Sequence, residues 1–179
     1  LDKNVYKIER LTGNFIKNII LIIDHDKNFN VKISTKKKNY ENFIKEKYLD
    51  NSLIELKDLF KQYYRDQKIM HMIIDNYVIN GKKYSSLENI KNIQQLCIEV
   101  NFISISNDLV FVLEKLIEKY QIKISQYICG NYIKNSLSED NIELSKIVYK
   151  LKNGMNNNEV ILISKNIENK GFFEKFFQL

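Results

Sequence analysis

The apolar positions near the start of the chain change from a helical to a strand-like spacing. Apolar residues recur at helical spacing from Val5 to Leu11, and Gly13 is placed to end a first helix. The short aliphatic run Ile19–Ile23 predicts a buried strand. Alternation over residues 30–35 predicts a second strand, which we expect to pair with the first as a hairpin.

The middle of the chain repeats this succession of helix and strand. Ser52 is placed to cap a helix that extends to Tyr64. Strands are predicted over residues 68–74 and 96–102, and the intervening residues 82–93 are polar and loop-like.

The clearest periodic signal predicts a helix over residues 107–120. Its apolar seam consists of Leu109, Val112, Leu113, Leu116, Ile117 and Tyr120. We expect this seam to pack on a sheet, with Leu113 and Leu116 buried. A further strand over residues 122–128 follows the helix.

Helices and strands in this order predict an α+β fold, with a mixed β-sheet that carries its helices mainly on one face. The main unit covers residues 1–135. Residues 136–165 form an extension, in which 142–151 fits a helix or a strand and 159–164 fits a strand. Residues 166–179 form a polar linker and an amphipathic tail.

The composition allows a folded core and excludes several classes of protein. Hydrophobic residues make up 44% of the chain and charged residues 28%. The chain lacks Ala, Pro and Trp and is rich in Ile, Lys and Asn, which indicates an AT-rich genome. No apolar run approaches the ~20 residues that cross a bilayer. Two cysteines cannot form a disulfide framework, and the five scattered glycines contain no phosphate-binding loop.

The net charge of +6 permits contact with nucleic acid or anionic lipid. The lysines, however, are spread over predicted helices and loops, and glutamates are interspersed among them. Sheets that bind RNA instead interleave basic and aromatic residues on one face. We therefore disfavour nucleic-acid binding, and keep as the alternative function a stand-alone α+β binding module for another ligand or nucleic acid.

The few residues able to carry chemistry favour a non-enzymatic protein. His71 lies in an apolar strand with no carboxylate near it in sequence, so a structural role is favoured over a general base. His25 lies in a polar turn between two aspartates, where a solvated turn is favoured over a metal site. Cys97 and Cys129 are expected to be reduced thiols, and their strands allow them to be neighbours in the sheet. We expect no catalytic residue, no cofactor and no metal site.

Residues 69–81 resemble a segment of the bacterial cell-division protein FtsA. The family pattern is His-x-Ile-Pro-x-x-Tyr-x-Ile-Asp-Gly, and the residues that match it in register are His71, Ile73, Tyr77, Ile79 and Gly81. Ile74 stands at the proline position and Asn80 at the aspartate position.

Further segments follow in the order of that family. Residues 96–106 resemble its next strand, Leu109–Ile128 resembles the helix and strand after it, and Ser136–Leu144 resembles its segment Leu-Thr-Glu-Asp-Glu-x-x-Leu. Upstream, Val5–Asp24 resembles the helix and strand that enter the region. The resemblance therefore covers residues 5–145.

FtsA is an actin-like protein that tethers FtsZ filaments to the membrane, and this region corresponds to its inserted strand-helix-strand-strand subdomain. In the family, that subdomain contacts the next FtsA subunit and later division proteins, not the nucleotide. The glycine-rich phosphate hairpin of the family has no counterpart here, because Tyr149–Gly154 lacks its carboxylate and two of its glycines. The resemblance thus implies a fragment or a reduced relative that binds a protein partner or itself, and does not bind ATP. It would act in cell division or another membrane-associated assembly.

The tail resembles the short membrane-targeting helix at the end of FtsA. Four aromatic residues spaced to share one side of a helix are Phe172, Phe173, Phe176 and Phe177. Together with Lys170 and Lys175 they form a candidate site for an anionic membrane surface. The alternative is a terminal helix docked on the protein's own core. The expected location is the cytoplasm, with peripheral attachment at the inner face of the cell membrane if the tail binds lipid.

Overall fold

Helices and strands alternate along the part of the chain that the computed structural model describes, which is residues 2–24, 28–38, 46–87, 90, 92–136 and 143–161. The helices are α1 (Asp2–Thr12), α2 (Glu46–Tyr63), α3 (Asn107–Glu118), α4 (Gly130–Asn135) and α5 (Leu144–Lys152). The strands are β1 (Asn18–Ile23), β2 (Phe29–Lys38), β3 (Gln67–Ile79), β4 (Lys82–Tyr84), β5 (Gln95–Ser106) and β6 (Lys123–Cys129). The α+β class predicted from the sequence is confirmed.

The strands are divided between two sheets rather than joined in one mixed sheet. β2, β5, β3 and β4 form an antiparallel sheet in that order, while β1 and β6 form a parallel pair. The predicted hairpin of β1 and β2 is wrong, since each of these strands pairs with a partner far away in sequence. A continuous aliphatic run such as β1 is typical of a parallel strand, but it does not identify the partner strand.

Two bulges in β3 interrupt the alternation of its side chains between the two faces of the antiparallel sheet. The pairing with β5 shifts between Ile69 and His71 and again between Ile74 and Asn76. The second shift changes the alternation, so that Ile74 and Tyr77, three residues apart, both enter the same core.

A tight turn follows β3. Asn80 and Gly81 both have positive φ angles, 49° and 84°, as a two-residue hairpin turn with the right-handed twist of a sheet requires. The turn leads into the short β4, within residues that the sequence pattern predicts as loop.

Helix α2 covers one face of the antiparallel sheet. Leu53, Leu56 and Phe60 are fully buried, and the Phe60 ring stacks on Phe102 of β5 with centroids 4.8 Å apart. The prediction that Ser52 caps this helix is wrong. Ser52 lies within the helix, and its hydroxyl donates to the Tyr48 carbonyl one turn earlier, at 2.8 Å.

Helix α3 begins where the sequence predicts, but its buried side differs from the predicted one. Ser106 is the N-cap and its hydroxyl accepts from the Leu109 amide at 3.3 Å. The buried side is centred on Val110 and Ile117, so Leu116 lies at the edge of the seam and is 50% exposed. The predicted burial of Leu116 is therefore wrong.

The segment that fits a helix or a strand equally well is the helix α5. Its residues Ile147, Val148 and Leu151 bury themselves against the parallel pair and α4. Of the strand predicted over residues 159–164, the described part contributes one antiparallel bridge, from Glu159 to Ile73 of β3. Residues 162–164 lie outside the described residues.

Candidate functional site

A buried hydrogen bond between a histidine and a carboxylate joins β3 to the residues after α5. The Nδ1 atom of His71 lies 3.2 Å from Oε2 of Glu159, and both side chains are 0% exposed. Because side chains alternate along a strand, His71 points away from the α2 core, into which its neighbour Met72 points. The carboxylate that the sequence did not offer near His71 thus comes from 88 residues further along the chain.

The contacts of His71 determine which of its nitrogens carries the proton. Nε2 accepts a hydrogen bond from the amide of Cys129, at 2.9 Å, so this nitrogen is unprotonated. Nδ1 then carries the hydrogen and donates it to Glu159. One imidazole ring therefore connects three parts of the fold, namely β3, the end of β6 and the segment that contains Glu159.

Tyr132 of α4 is the third side chain of this buried group. Its ring lies 4.4 Å from the His71 ring, between centroids, and its hydroxyl accepts from the Asn156 side chain at 3.0 Å. Burial, followed by the negative charge of Glu159, raises the pKa of Tyr132 well above its usual value. The Tyr132 hydroxyl also bonds to Glu159, whose carboxylate accepts from the Ile161 amide at 3.2 Å. The carboxylate is thus satisfied by several donors.

This group is arranged to hold the fold together. A general base has to reach a substrate proton, whereas both nitrogens of His71 are engaged with protein groups and the ring is fully buried. The geometry therefore favours the structural role that the sequence also favours for His71.

The two cysteines are not neighbours. Cys97 lies in β5 of the antiparallel sheet and Cys129 ends β6 of the parallel pair. Both are free thiols, and the Cys129 sulfur accepts from the side-chain amide of Asn28 at 3.1 Å. The expected reduced state agrees with this arrangement, and the expected proximity does not.

The outer side of α3 carries an exposed apolar surface. Phe111 is 57% exposed and Val112 is 52% exposed, beside the half-exposed Leu116. The Lys115 ammonium lies 4.5 Å from the centroid of the Phe111 ring, so a cation covers part of it. We call these residues, Phe111, Val112 and Leu116, the α3 patch.

A groove of about 640 Å³ runs beside the α3 patch, between α3 and the start of β6. Apolar side chains line it together with charged ones of both signs: Phe111, Glu114, Lys115, Glu118, Ile122, Lys123 and Ile124. Surfaces that bind another protein combine an apolar centre with a polar rim.

Helix α1 exposes a second apolar surface. Leu11 is 77% exposed, and Phe15, just after the helix, is 84% exposed. Ile8 lies beside them on the same helix and is also exposed. Large apolar side chains grouped in this way form a candidate contact surface.

Several residues singled out in the sequence have no described structure. The candidate membrane site, Phe172, Phe173, Phe176, Phe177, Lys170 and Lys175, lies outside the described residues, as does His25. Among the residues that are described, no group of three or more His, Cys, Asp or Glu side chains is placed to hold a metal ion. No helix in the described ranges has the length and apolar character needed to cross a membrane.

Searches of protein-family models and of curated proteins find no significant match to this sequence.

Proposed function

We propose that this chain is a non-enzymatic protein-interaction module of the FtsA type, which acts in cell division or a related membrane-associated assembly. Its partner is another protein or a second copy of the chain. The proposal joins the resemblance of residues 5–145 to the arrangement of the antiparallel half of the fold.

The observation that carries the proposal is the order of elements in that half. β2, α2, β3 and β5 follow each other as strand, helix, strand and strand, with only the short β4 added. Of the three long strands, β5 lies in the middle and pairs with both β2 and β3, and α2 supplies the core on one face. This is the order of the subdomain that the resemblance implies.

The exposed apolar residues support an interaction function. The α3 patch and its groove offer apolar contact area with a mixed-charge rim, and α1 offers a second apolar surface. The side chains that could take part in a reaction, His71 and Glu159, are fully buried. The parts of the molecule open to a partner are instead apolar surfaces.

The contacts around residues 149–155 support the absence of ATP binding. A phosphate hairpin offers free backbone amides, whereas here the amides of Asn153, Gly154 and Met155 donate to carbonyls of α5. We therefore expect calorimetric titration with magnesium and ATP to show no binding tighter than about 1 mM.

Photo-crosslinking in the native cells tests the interaction function. A photoreactive amino acid at Phe111 of the full chain should give crosslinks to a cell-division protein or to a second copy. The matched control carries the same amino acid at Lys36, an exposed residue of β2. Crosslinks to nucleic acid alone, or equal yields at the two positions, would contradict the proposal.

A further inference from the structure

A short segment after α5 extends the antiparallel sheet along β3. The amide of Ile74 donates to the Asn158 carbonyl at 2.8 Å, and the amide of Val160 donates to the Met72 carbonyl at 2.8 Å. β4 pairs only with the end of β3, from Tyr77 onward. Residues 158–161, which we call the docking segment, therefore lie on β3 as an added strand.

The side chains of the docking segment alternate between two buried environments. Val160 is 1% exposed and belongs to the α2 core. Glu159 points to the other side and meets His71 and Tyr132. A buried carboxylate is costly without donors, so β3 accepts here a strand that combines a carboxylate with an adjacent apolar residue. Both side chains of the segment thus find complementary surroundings on β3.

The connection from α5 to the docking segment depends on one backbone conformation. Gly154 has a φ of 83°, which few other residues adopt, and its amide donates to the Leu151 carbonyl at 3.1 Å. Around it the connection is polar, with asparagine at positions 153, 156 and 157. Straightening at Gly154 would leave the core contacts of α5 in place.

We propose that the docking segment exchanges between copies, so that residues 158–161 of one chain pair with β3 of a second copy. Each hydrogen bond and buried contact made within one chain is remade between two, so the free-energy difference comes from the connection and from the entropy lost on association. This inference rests on the proposed interaction function and deepens it by naming a second copy as the partner. It uses a different surface from the α3 patch, so each can fail without the other.

The replacement Gly154→Pro in the full chain tests the exchange. Proline cannot adopt a φ of 83°, so the connection has to straighten. We expect sedimentation velocity to show a dimer with a dissociation constant at least tenfold lower than that of the unmodified chain. The matched control is Gly13→Pro, because Gly13 also follows a helix, has a φ of 68° and donates its amide to a helix carbonyl. This control should leave the dimer constant unchanged.

Adding Glu159→Lys to the Gly154→Pro chain shows which surface the dimer uses. A lysine has no acceptor for His71, so the segment no longer fits and the dimer should be lost. A Gly154→Pro chain that stays monomeric with a native circular dichroism spectrum would overturn the proposal. A dimer that survives Glu159→Lys would overturn it too.

A peptide of residues 153–161 provides a second measurement that does not depend on the Gly154→Pro variant. Labelled peptide should bind the Glu159→Lys chain, whose own segment no longer fits β3, by fluorescence anisotropy and at least tenfold more tightly than the same peptide with Glu159→Gln. Equal binding of the two peptides, or no binding at millimolar peptide, would mean that β3 does not accept the segment from a second molecule.

Discussion

The antiparallel and parallel halves of this molecule differ in how far each is closed by its own residues. In the antiparallel half, α2 buries a continuous core that includes Phe60 and Phe102. In the parallel half, β1 is aliphatic on both faces, as in a strand buried inside a larger sheet, but Ile20 is 36% exposed. Helix α1, which precedes β1 in the chain, exposes Leu11. We call the antiparallel half the closed half, because its own residues bury its core. The parallel half is the open half, because it leaves apolar side chains exposed to a partner.

The largest expected effect tests the closed core of the antiparallel half. Replacing Phe60 by alanine leaves a cavity against Phe102, so the free energy of unfolding should fall by about 3–5 kcal/mol. Urea unfolding measures it. The control is Tyr63→Ala on the same helix, where the side chain is 72% exposed and the expected change is within about 0.5 kcal/mol. Similar losses at both positions would mean that α2 does not bury the side seen here.

Helix α3 tests the boundary between the two halves. Ile117 is buried, so Ile117→Ala should lower the free energy of unfolding by about 2–5 kcal/mol. Leu116→Ala, one position earlier, should cost less than about 1 kcal/mol because half of its surface is already exposed. Urea unfolding of the pair gives the difference directly. A larger loss for Leu116→Ala than for Ile117→Ala would mean that α3 buries Leu116, as the sequence pattern predicts.

These two tests also separate what the sequence predicts from what it does not. The start of α3 follows from a local contact, the cap at Ser106, and local contacts are readable in sequence. The apolar seam of α3 is broader than the side that is buried. Periodicity therefore does not determine which of two adjacent positions, such as 116 and 117, faces the core.

The contacts that define the candidate sites are not local. His71 and Glu159 lie 88 residues apart, and β1 finds its partner in β6 across most of the described chain. Nothing in the spacing of apolar residues encodes such pairs, since the pattern predicts which residues are buried but not against which. The sequence feature that could have indicated a buried carboxylate is Glu159, directly before the apolar run 160–163.

The loss of stability at alkaline pH tests the burial of Tyr77 in the antiparallel core. Burial raises the pKa of Tyr77 from 10.0 to about 12. The unfolded chain therefore loses this proton at a lower pH than the folded chain does. The stability contributed by neutral Tyr77 is complete below pH 10 and is lost as the pH rises from 10 to about 12.

We expect this loss to amount to about 2–3 kcal/mol. Urea unfolding between pH 9 and 12 should show a shallower decline for Tyr77→Phe than for the unmodified chain. Tyr132, whose pKa is also raised, contributes the same trend from the other half, so Tyr132→Phe is the matched comparison. If Tyr77→Phe declines as steeply as the unmodified chain, its hydroxyl is not buried as described.

The smallest expected effect on either half comes from removing the tail. The candidate membrane residues Phe172, Phe173, Phe176 and Phe177 follow Lys170, so a chain ending at Lys170 loses all four together. If they form a peripheral anchor, the free energy of unfolding should change by less than about 0.5 kcal/mol, because a peripheral anchor contributes to neither core. Binding to vesicles that contain anionic lipid should instead fall sharply, since burying apolar rings at the headgroup boundary and pairing lysines with lipid charge both contribute to it.

Co-sedimentation with anionic and with neutral vesicles measures this loss, and the intact chain should prefer the anionic ones. Equal co-sedimentation of the two chains would remove the membrane anchor from the proposed function. If the truncated chain unfolds, the four rings belong to the protein's own core. The exposed apolar residues of the open half would then be covered by the tail of the same chain.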